Sequence, residues 1–235
     1  MEKNYTYEYP RPALTTDCVI FGFNGQQLHV LLIERGQAPF KGDWALPGGF
    51  LKENETVEEC AKRELEEETG LKEGFYLEQF HVFSRRDRDP REHVVTVAFL
   101  ALVRMSDYNL VASTDAADVS WWDVEALPTL AFDHRDIVKE ARQHLKDMLQ
   151  IKPLVFNLLN EKFRMSELQR LYELINGTSY DRRNFQRKIR TSEFLTEEGI
   201  DAEAQSLPRP AMLFSFNSFK FEESDKEDKG NPFRL

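Results

Sequence analysis

Apolar and polar positions follow two regimes along the chain, and the change between them falls near Pro153. Before Pro153, short runs rich in β-branched residues predominate. The first two of these runs flank Asn24-Gly25, which predicts a β-hairpin. Three later apolar runs predict further strands, at residues 75–84, 93–105 and 118–124.

Helical spacing of apolar residues is clear at two places in this first region. One predicted helix has about 13 residues, beginning at Thr56 and ending near Gly70. The other contains Ile137, Ala141 and Leu145 on a single face. Strands mixed with covering helices predict an α+β fold, with helices packed on a largely mixed sheet.

The region after Pro153 predicts three short helices followed by a β element. The helices are expected at residues 154–163, 165–178 and 181–195, and an alternating strand at 209–219. Ser166 is the expected N-cap of the second helix. This order is typical of a small winged helix-turn-helix domain. We therefore expect domains at residues 1–149 and 150–221, with a flexible polar tail at 222–235.

The net charge of −10 belongs to the first domain. Residues 1–149 hold 17 Lys+Arg against 27 Asp+Glu, whereas residues 150–235 hold 14 of each. No apolar run reaches 18 residues, so no membrane-spanning helix is expected. The N-terminus does not follow the pattern of a secretory signal. Cys18 and Cys60 lack metal-site spacing, which favours a reduced, cytoplasmic chain.

Carboxylates are concentrated in the first predicted helix. Glu64, Glu67 and Glu68 stand at i, i+3 and i+4, so they share one face and repel one another unless a cation lies among them. Such hard oxygen ligands select Mg²⁺ or Mn²⁺. Either cation binds diphosphate oxygens and lowers the pKa of a bound water. Arg63 can hold a neighbouring carboxylate by a two-pronged bond, and Glu66 is predicted to be plain surface.

This stretch resembles the Nudix box. The matching residues are Gly49, Glu55, Arg63, Glu64, Leu65, Glu67, Glu68, Gly70 and Leu71. The resemblance implies a Nudix α/β/α sandwich with a mixed sheet. It implies metal ligands at the Gly49 carbonyl, Glu64, Glu67 and Glu68, and catalytic roles for Glu64, Arg63 and Glu67. Glu55 would orient the site. Glu64 is favoured as the water-activating base, although the family differs on which glutamate has that role.

Two further stretches indicate a ligand. Residues 86–102 resemble the segment with which Nudix proteins handle ADP-ribose or NAD-like diphosphates, and residues 127–141 resemble the closing segment of the same branch. Candidate phosphate or sugar contacts are Arg86, Arg88 and Arg91, for which a solvated charged loop is the alternative. Trp44 and Phe132 are candidate stacking residues for a base, for which core packing is the alternative.

Positive charge is concentrated in the third helix of the second domain. Asp181 is its expected N-cap, and Phe185 and Ile189 are expected to point inward. The outer face suits a DNA major groove, where arginine reads guanine and Asn or Gln reads adenine. Candidate DNA contacts are Arg182, Arg183, Asn184, Gln186, Arg187, Lys188 and Arg190, with Arg209 at a wing tip. The alternative is a basic surface helix that balances the acidic domain.

Residues 12–220 as a whole resemble the Nudix-related transcriptional regulators, in which a Nudix domain precedes a winged helix. The resemblance implies binding of ADP-ribose-like nucleoside diphosphate derivatives, Mg²⁺-dependent hydrolysis of the pyrophosphate bond, and binding of double-stranded operator DNA by a homodimer. The alternative is a non-catalytic regulator of sugar (arabinose-type) utilisation whose pocket only senses the effector. Many members of this family have a degraded box, whereas this chain retains every acid.

Overall fold

A seven-stranded mixed sheet forms the centre of the first domain. The computed structural model describes residues 6–108, 116–191, 194–201 and 211–226. The strands are β1 (Ala13–Phe23), β2 (Leu28–Arg35), β3 (Trp44–Ala45), β4 (Gly48–Phe50), β5 (Tyr76–Phe83), β6 (Val94–Val103) and β7 (Ala116–Asp123). The main path runs β3-β2-β1-β6-β5, with β4 paired to β1 and β7 paired to β2. Strands β1 and β6 are parallel, and the other pairs are antiparallel.

The predicted hairpin is confirmed at the β1–β2 turn. Gly25 adopts a φ of 94°, which glycine tolerates without steric cost. Asn24 Oδ1 accepts hydrogen bonds from the backbone N–H groups of Gln26 (3.0 Å) and Gln27 (2.8 Å). The asparagine side chain therefore closes the turn that the sequence predicts.

Two helices cover opposite faces of this sheet. They are α1 (Val57–Thr69) and α2 (His134–Met148). Because successive strand side chains point to opposite faces, β1 contributes to both layers. Ile20 belongs to the buried cluster that contains Leu65 of α1, whereas Phe21 belongs to the cluster that contains Ile137 of α2. The predicted α/β/α sandwich is confirmed.

In its described residues, the second domain joins three α-helices to a three-stranded sheet. Its elements are β8 (Phe163–Arg164), α3 (Met165–Asn176), α4 (Arg182–Arg190), β9 (Leu195–Ile200), β10 (Met212–Phe216) and α5 (Ser218–Lys226). The sheet order is β8-β10-β9, and both pairs are antiparallel. Tyr172 of α3 meets Phe185 of α4 edge to face, with ring centres 5.9 Å apart. This is the predicted winged helix-turn-helix arrangement.

The helix expected at residues 181–195 ends early, at Arg190, and Leu195 already belongs to β9. Two further local predictions in this domain are wrong. The stretch 154–163 is no α-helix: Leu154–Asn157 forms a 3-10 turn, and Phe163 pairs with Phe214 in the sheet. The apolar side chains of the stretch are all buried, so they do not form the single apolar stripe of a surface helix. In addition, Asn157 Nδ2 donates to the Leu154 carbonyl (3.2 Å), a local bond that competes with helical hydrogen bonding.

The second error concerns Ser166, which does not cap α3. The N-cap is Arg164, two residues earlier, and the helix begins at Met165. The Arg164 N–H donates to Glu167 Oε2 (2.6 Å), so Glu167 supplies the capping contact. Because β8 leads directly into α3, the sheet pairing of Phe163 and Arg164 fixes where the helix can start.

Helix α5 extends into the segment 222–235 that the sequence predicts as a flexible tail. The part of this segment after Lys226 lies outside the described residues, and so does Arg209. None of the helices in the described part of the chain is both long enough and apolar enough to cross a membrane.

Candidate active site and nucleic-acid interface

Helix α1 carries the acidic cluster and is fixed at both ends. Thr56 Oγ1 accepts from the Glu59 N–H (3.2 Å), and the Glu59 side chain accepts from the Thr56 N–H (2.8 Å). Gly70 ends the helix in the left-handed conformation, with a φ of 78°. Leu65 is fully buried against the sheet. These local signals set the rotation of α1 and therefore the direction of its carboxylates.

Arg63 links three carboxylates. It makes a two-pronged ion pair with Glu55, from Nε to Oε2 (2.9 Å) and from Nη2 to Oε1 (2.8 Å). Its Nη1 donates to Glu64 Oε1 (2.5 Å) and Glu67 Oε2 (3.0 Å). The hydrogen bond from Arg63 lowers the pKa of Glu55 to about 2. Arg63 thus holds the acidic face of α1 in one arrangement.

Strand β4 brings backbone against the same acidic face. The Gly48 N–H donates to Glu68 Oε2 (2.8 Å). A Cβ added at Gly49 would lie 2.2 Å from Glu64 Oε1, and one added at Gly48 would lie 2.0 Å from the Thr16 carbonyl oxygen. Backbone atoms therefore exclude any side chain at Gly48, whereas a side chain at Gly49 would displace the Glu64 carboxylate.

The carboxylates of α1 fit a divalent cation in their chemistry. Burial raises the pKa of Glu68 to about 8, against the Gly48 hydrogen bond, and burial also raises the pKa of Glu64. A divalent cation would favour the charged form of both groups. Among the described residues, no three acidic, histidine or cysteine side chains converge on one metal position. Because Arg63 Nη1 already bonds to Glu64 and Glu67, a cation near these two carboxylates must compete with the Arg63 guanidinium.

A cavity of about 120 Å³ opens beside this helix. Gly48 and Gly49 form the wall that it shares with the acidic cluster, and Arg35, Arg91 and Phe132 line it elsewhere. The guanidinium carbon of Arg35 lies 4.8 Å from the centre of the Phe132 ring, and that of Arg91 lies 5.4 Å from it. The cavity therefore brings Arg35, Arg91 and the Phe132 ring close to the hard oxygen atoms of α1.

The predicted ligand residues divide into two groups. Arg91 and Phe132 line the cavity. Arg86 is exposed and is not among the residues that line the cavity. A charged loop offers no sequence signal for which of its arginines turns toward a pocket and which toward solvent.

Arg88 and Trp44 have protein partners. Arg88 borders the cavity but is buried, with Nη2 at 3.0 Å from Asp17 Oδ2 and 2.8 Å from Asp133 Oδ1. Trp44 does not line the cavity, because its ring packs edge to face against Trp122 with centres 5.2 Å apart. Trp44 is partly buried and packs against the core, which is the alternative to base stacking that the sequence allowed.

Sequence reasoning missed Arg35 and Phe50 at this cavity, and Phe40 beside it. Arg35 lies at the end of β2, and its Nε donates to the Pro39 carbonyl (2.9 Å). Phe40 and Phe50 are each 40% exposed. Phe40 meets Phe132 edge to face, with ring centres 4.8 Å apart. The polar end of a β-strand beside a Gly/Pro-rich loop is the only sequence signal for Arg35, and it is weak.

A larger groove of about 610 Å³ lies between the two domains. Each cation on its rim is paired: Arg104 with Glu161 (4.0 Å), Lys152 with Glu78 (3.3 Å) and Lys162 with Glu198 (3.2 Å). The smaller cavity is the better candidate site because its charged groups converge on one place beside the acidic helix.

Helix α4 presents its cations outward. Asp181 Oδ1 accepts from the Asn184 N–H (2.9 Å), which confirms the predicted N-cap. Phe185 and Ile189 are buried as predicted. The exposed predicted DNA contacts are Arg182, Arg183, Asn184, Arg187, Lys188 and Arg190, and Gln186 is half-buried.

Some of these side chains contact other groups of the protein. Arg187 Nη2 donates to Asn184 Oδ1 (2.9 Å), which aligns two candidate base contacts. Arg190 Nη1 lies 3.6 Å from Glu197 Oε1, and its guanidinium lies 5.4 Å from the Phe214 ring centre. Arg190 therefore leans toward the β9–β10 wing, away from the middle of the helix face.

Family models match both domains. Residues 11–141 match the model described as NUDIX domain. The chain belongs to the Nudix family. Residues 155–216 match the model described as NrtR DNA-binding winged helix domain. This Nudix protein therefore carries a winged helix of the NrtR type, as its resemblance to the regulators implies.

Two relatives share sequence with this Nudix protein. The ADPR responsive transcriptional repressor NtrR of Acinetobacter baylyi is 36% identical over 214 residues, which cover 89% of this chain and 84% of the relative. The ADP-ribose pyrophosphatase of Methanocaldococcus jannaschii is 43% identical over 132 residues, which cover 56% of this chain and 74% of the relative.

Solved structures extend the likeness to the arrangement of both domains. Shewanella oneidensis NrtR complexed with a 27mer DNA is 31% identical with a TM-score of 0.71, covering 89% of this chain and 95% of that chain. The Nudix domain of the same protein complexed with ADP ribose is 37% identical with a TM-score of 0.53, covering 60% of this chain and 94% of that chain.

Proposed function

We propose that this Nudix protein binds ADP-ribose, or a closely related nucleoside diphosphate derivative, and hydrolyses its pyrophosphate bond. The observation that carries the proposal is one shared wall. Gly48 and Gly49 line the cavity that holds Arg35 and Arg91, and the same two glycines contact the carboxylates of α1. A diphosphate held in the cavity would lie beside the acidic helix.

The cavity lining suits the parts of such a ligand. Burial lowers the pKa of Arg35, and so does the nearby Arg91 charge, which a bound diphosphate would offset. The Phe132 ring offers a stacking surface. A cavity of about 120 Å³ is smaller than the pockets of roughly 300–1,000 Å³ that enclose small ligands. The ligand would therefore extend over the exposed rings of Phe40 and Phe50.

The residues that would hold the metal are the Gly49 carbonyl, Glu64, Glu67 and Glu68. Nudix hydrolases use divalent cations, and the hard oxygen atoms here favour Mg²⁺ or Mn²⁺. When bound, the cation supplies charge neutralisation at the diphosphate and a water of lowered pKa. Arg63 orients the carboxylates from one side, together with Glu55. We assign the removal of the water proton to Glu64, which lies nearest to Gly49 at the cavity wall.

The winged helix is proposed to bind double-stranded operator DNA through α4. Its exposed arginines and Asn184 suit base edges and phosphates in a major groove, and Gln186 lies beside them. Operator symmetry favours a homodimer that presents two such helices. The likeness to an ADP-ribose-responsive repressor and to a DNA complex supports this assignment. The NrtR-type winged helix does not favour the arabinose-type alternative.

The two activities are proposed to be linked, so that ADP-ribose binding or turnover shifts the affinity for DNA. Operator binding also leads us to propose a cytoplasmic location. In this proposal, the cavity binds the ligand and the intact acidic face of α1 allows the same protein to hydrolyse it.

The hydrolase proposal is tested with purified full-length protein, ADP-ribose and Mg²⁺. Cleavage of the pyrophosphate bond should yield AMP and ribose 5-phosphate, which chromatography separates. Glu67→Gln should remove this activity. The matched control is Glu66→Gln, because Glu66 is exposed and pairs only with Lys72 among the ion pairs of the described residues. Equal activity in E67Q and E66Q, or no cleavage by the unaltered chain with either Mg²⁺ or Mn²⁺, would contradict the proposal.

A further inference from the structure

One short loop places two arginines at the wall of the cavity, one buried and one partly exposed. Arg88 points into the core and is only 5% exposed. Arg91 lies at the cavity, with its guanidinium 5.0 Å from the Phe50 ring centre and 5.4 Å from that of Phe132. Pro90 stands between them and restricts the backbone. Both arginines are candidate ligand contacts by sequence, and their surroundings differ.

Arg88 is held by two carboxylates from distant parts of the chain. Its Nη2 donates to Asp17 Oδ2 on β1 (3.0 Å), and its Nη2 and Nε donate to Asp133 Oδ1 (2.8 Å) and Oδ2 (3.0 Å). Asp133 directly follows Phe132. Buried charges with such partners are costly to separate. Arg88 therefore ties the loop both to the sheet and to the segment that carries Phe132.

Asp89 transmits this constraint to Arg91. The Asp89 carboxylate accepts from the Arg91 N–H (2.9 Å), from Arg91 Nε (3.0 Å) and from Arg91 Nη2 (2.6 Å). Asp89 is itself 5% exposed, so it offers a fixed anchor. The backbone and the guanidinium of Arg91 are thus both held by the residue next to Arg88. A side chain that is ordered before binding loses less entropy when a ligand arrives.

We propose that Arg88 is a positioning residue for the ligand, which acts through Asp89 and Arg91 and does not contact the ligand. The identity of the ligand in this inference rests on the proposed function, in which the cavity binds ADP-ribose. Arg88 aligns the guanidinium of Arg91 before ADP-ribose enters. The affinity that Arg91 contributes therefore depends on the buried cluster of Arg88, Asp17 and Asp133.

The test is a double-mutant cycle in which ADP-ribose binding is measured by calorimetry. One change is R91A. The other is the neutral-cluster variant, which combines R88M, D17N and D133N so that no carboxylate is left unpaired. Each change alone should weaken binding roughly tenfold or more, as expected for loss of a charge-assisted hydrogen bond. Combined, they should weaken it by no more than about twofold beyond R91A alone.

Two results would overturn the inference. Losses that multiply mean that Arg88 acts on the ligand independently of Arg91. Unchanged affinity in the neutral-cluster variant means that the cluster only supports the fold. R88K serves as a second variant if the neutral-cluster variant does not fold, because it keeps the charge and loses the two-pronged contact. R88K should weaken binding in the presence of Arg91 and have no effect in the R91A background, with retained DNA binding as the measure of folding.

A measurement without ligand separates this inference from the proposed function. The Nε–H NMR signal of Arg91 should report a rigid side chain in the unaltered protein and a mobile one in R88K. An equally rigid Arg91 in R88K would overturn the inference. If the unaltered chain does not bind ADP-ribose, the proposed function fails, and the Arg91 signal still decides whether Arg88 positions it.

Discussion

Helices α1 and α4 are built alike and differ in what holds their charges. Each begins at a side-chain cap, Thr56 in α1 and Asp181 in α4. Each buries an apolar stripe and carries charge mainly of one sign on the rest of its surface. In α1, an arginine and a backbone N–H bind the carboxylates from within the domain. In α4, most of the cations point outward.

This difference separates two kinds of charged helix that share the same construction. Carboxylates fixed by Arg63 and Gly48 keep a defined geometry at high electrostatic cost, as a site for a small ion and a diphosphate requires. Exposed cations on α4 can adjust to the phosphates and bases of DNA, for which steering and screening by salt matter more than fixed geometry. Variants in α1 should therefore lose hydrolysis, whereas variants in α4 should lose DNA binding.

The largest effect is expected for Gly49→Ala. Its Cβ would lie 2.2 Å from Glu64 Oε1, so the carboxylate must move away from the cavity wall. A displacement of about 1 Å at a catalytic group can cost a hundredfold in rate. We therefore expect ADP-ribose hydrolysis to fall about a hundredfold, as measured by product formation. DNA binding by the same variant should be unchanged, and a loss in both assays would mean that the change unfolds the protein.

The next effect is expected for Arg63→Ala. This change leaves Glu55, Glu64 and Glu67 without their shared cation. Loss of a group that orients metal ligands typically costs roughly 10–100-fold in metal affinity or activity. A titration of hydrolysis against Mg²⁺ should show the loss. Lys62→Ala, at the exposed neighbouring position, is the matched control and should behave as the unaltered chain.

A smaller effect is expected for Arg187→Ala in α4. If Arg187 contacts a phosphate, DNA affinity should fall and the dependence of affinity on salt should weaken by about one unit of slope. If it reads a base, the loss should be roughly 1–3 kcal/mol and restricted to the operator. Fluorescence anisotropy with the chain's own upstream DNA measures both. Lys139→Ala, an exposed cation on α2, is the control, and equal affinities in the two variants would exclude α4 as the recognition helix.

The smallest effects are expected for the two helix caps, and they should be alike. Thr56→Ala and Asp181→Ala each remove one side-chain acceptor for a backbone N–H. We expect each to lower the free energy of unfolding by about 1 kcal/mol. Urea unfolding followed by circular dichroism checks this. A much larger loss at one cap would show that the two helices are not equivalent in construction.

The features that sequence predicted well are those set by neighbours along the chain. The start of α1 next to Thr56, its end at Gly70 and the spacing of its glutamates are all local, so the pattern specifies them. The cap at Asp181 and the buried stripe of α4 are local in the same way. Ser166 is the exception, because sheet pairing of the preceding residues decides where α3 begins.

The features that sequence missed depend on partners far along the chain. Arg88 binds Asp17, which is 71 residues away in the sequence, and Asp133, which is 45 residues away. No local sequence pattern predicts either contact. Trp44 meets Trp122 in the same way. Arg35 joins the site only because β2 ends beside the loop that follows β5. The acidic half of the site was therefore predictable, whereas the ligand half needed the fold.

The central claim is that one chain couples an ADP-ribose pocket to a DNA-binding helix. It is tested most directly by measuring the affinity of the full-length protein for its upstream DNA as ADP-ribose is added, in E67Q to separate binding from turnover. We predict that saturating ADP-ribose changes the DNA affinity about fivefold or more, as is typical of coupled sites, and that R91A abolishes the response. An affinity for DNA that is the same with and without saturating ADP-ribose would contradict the account.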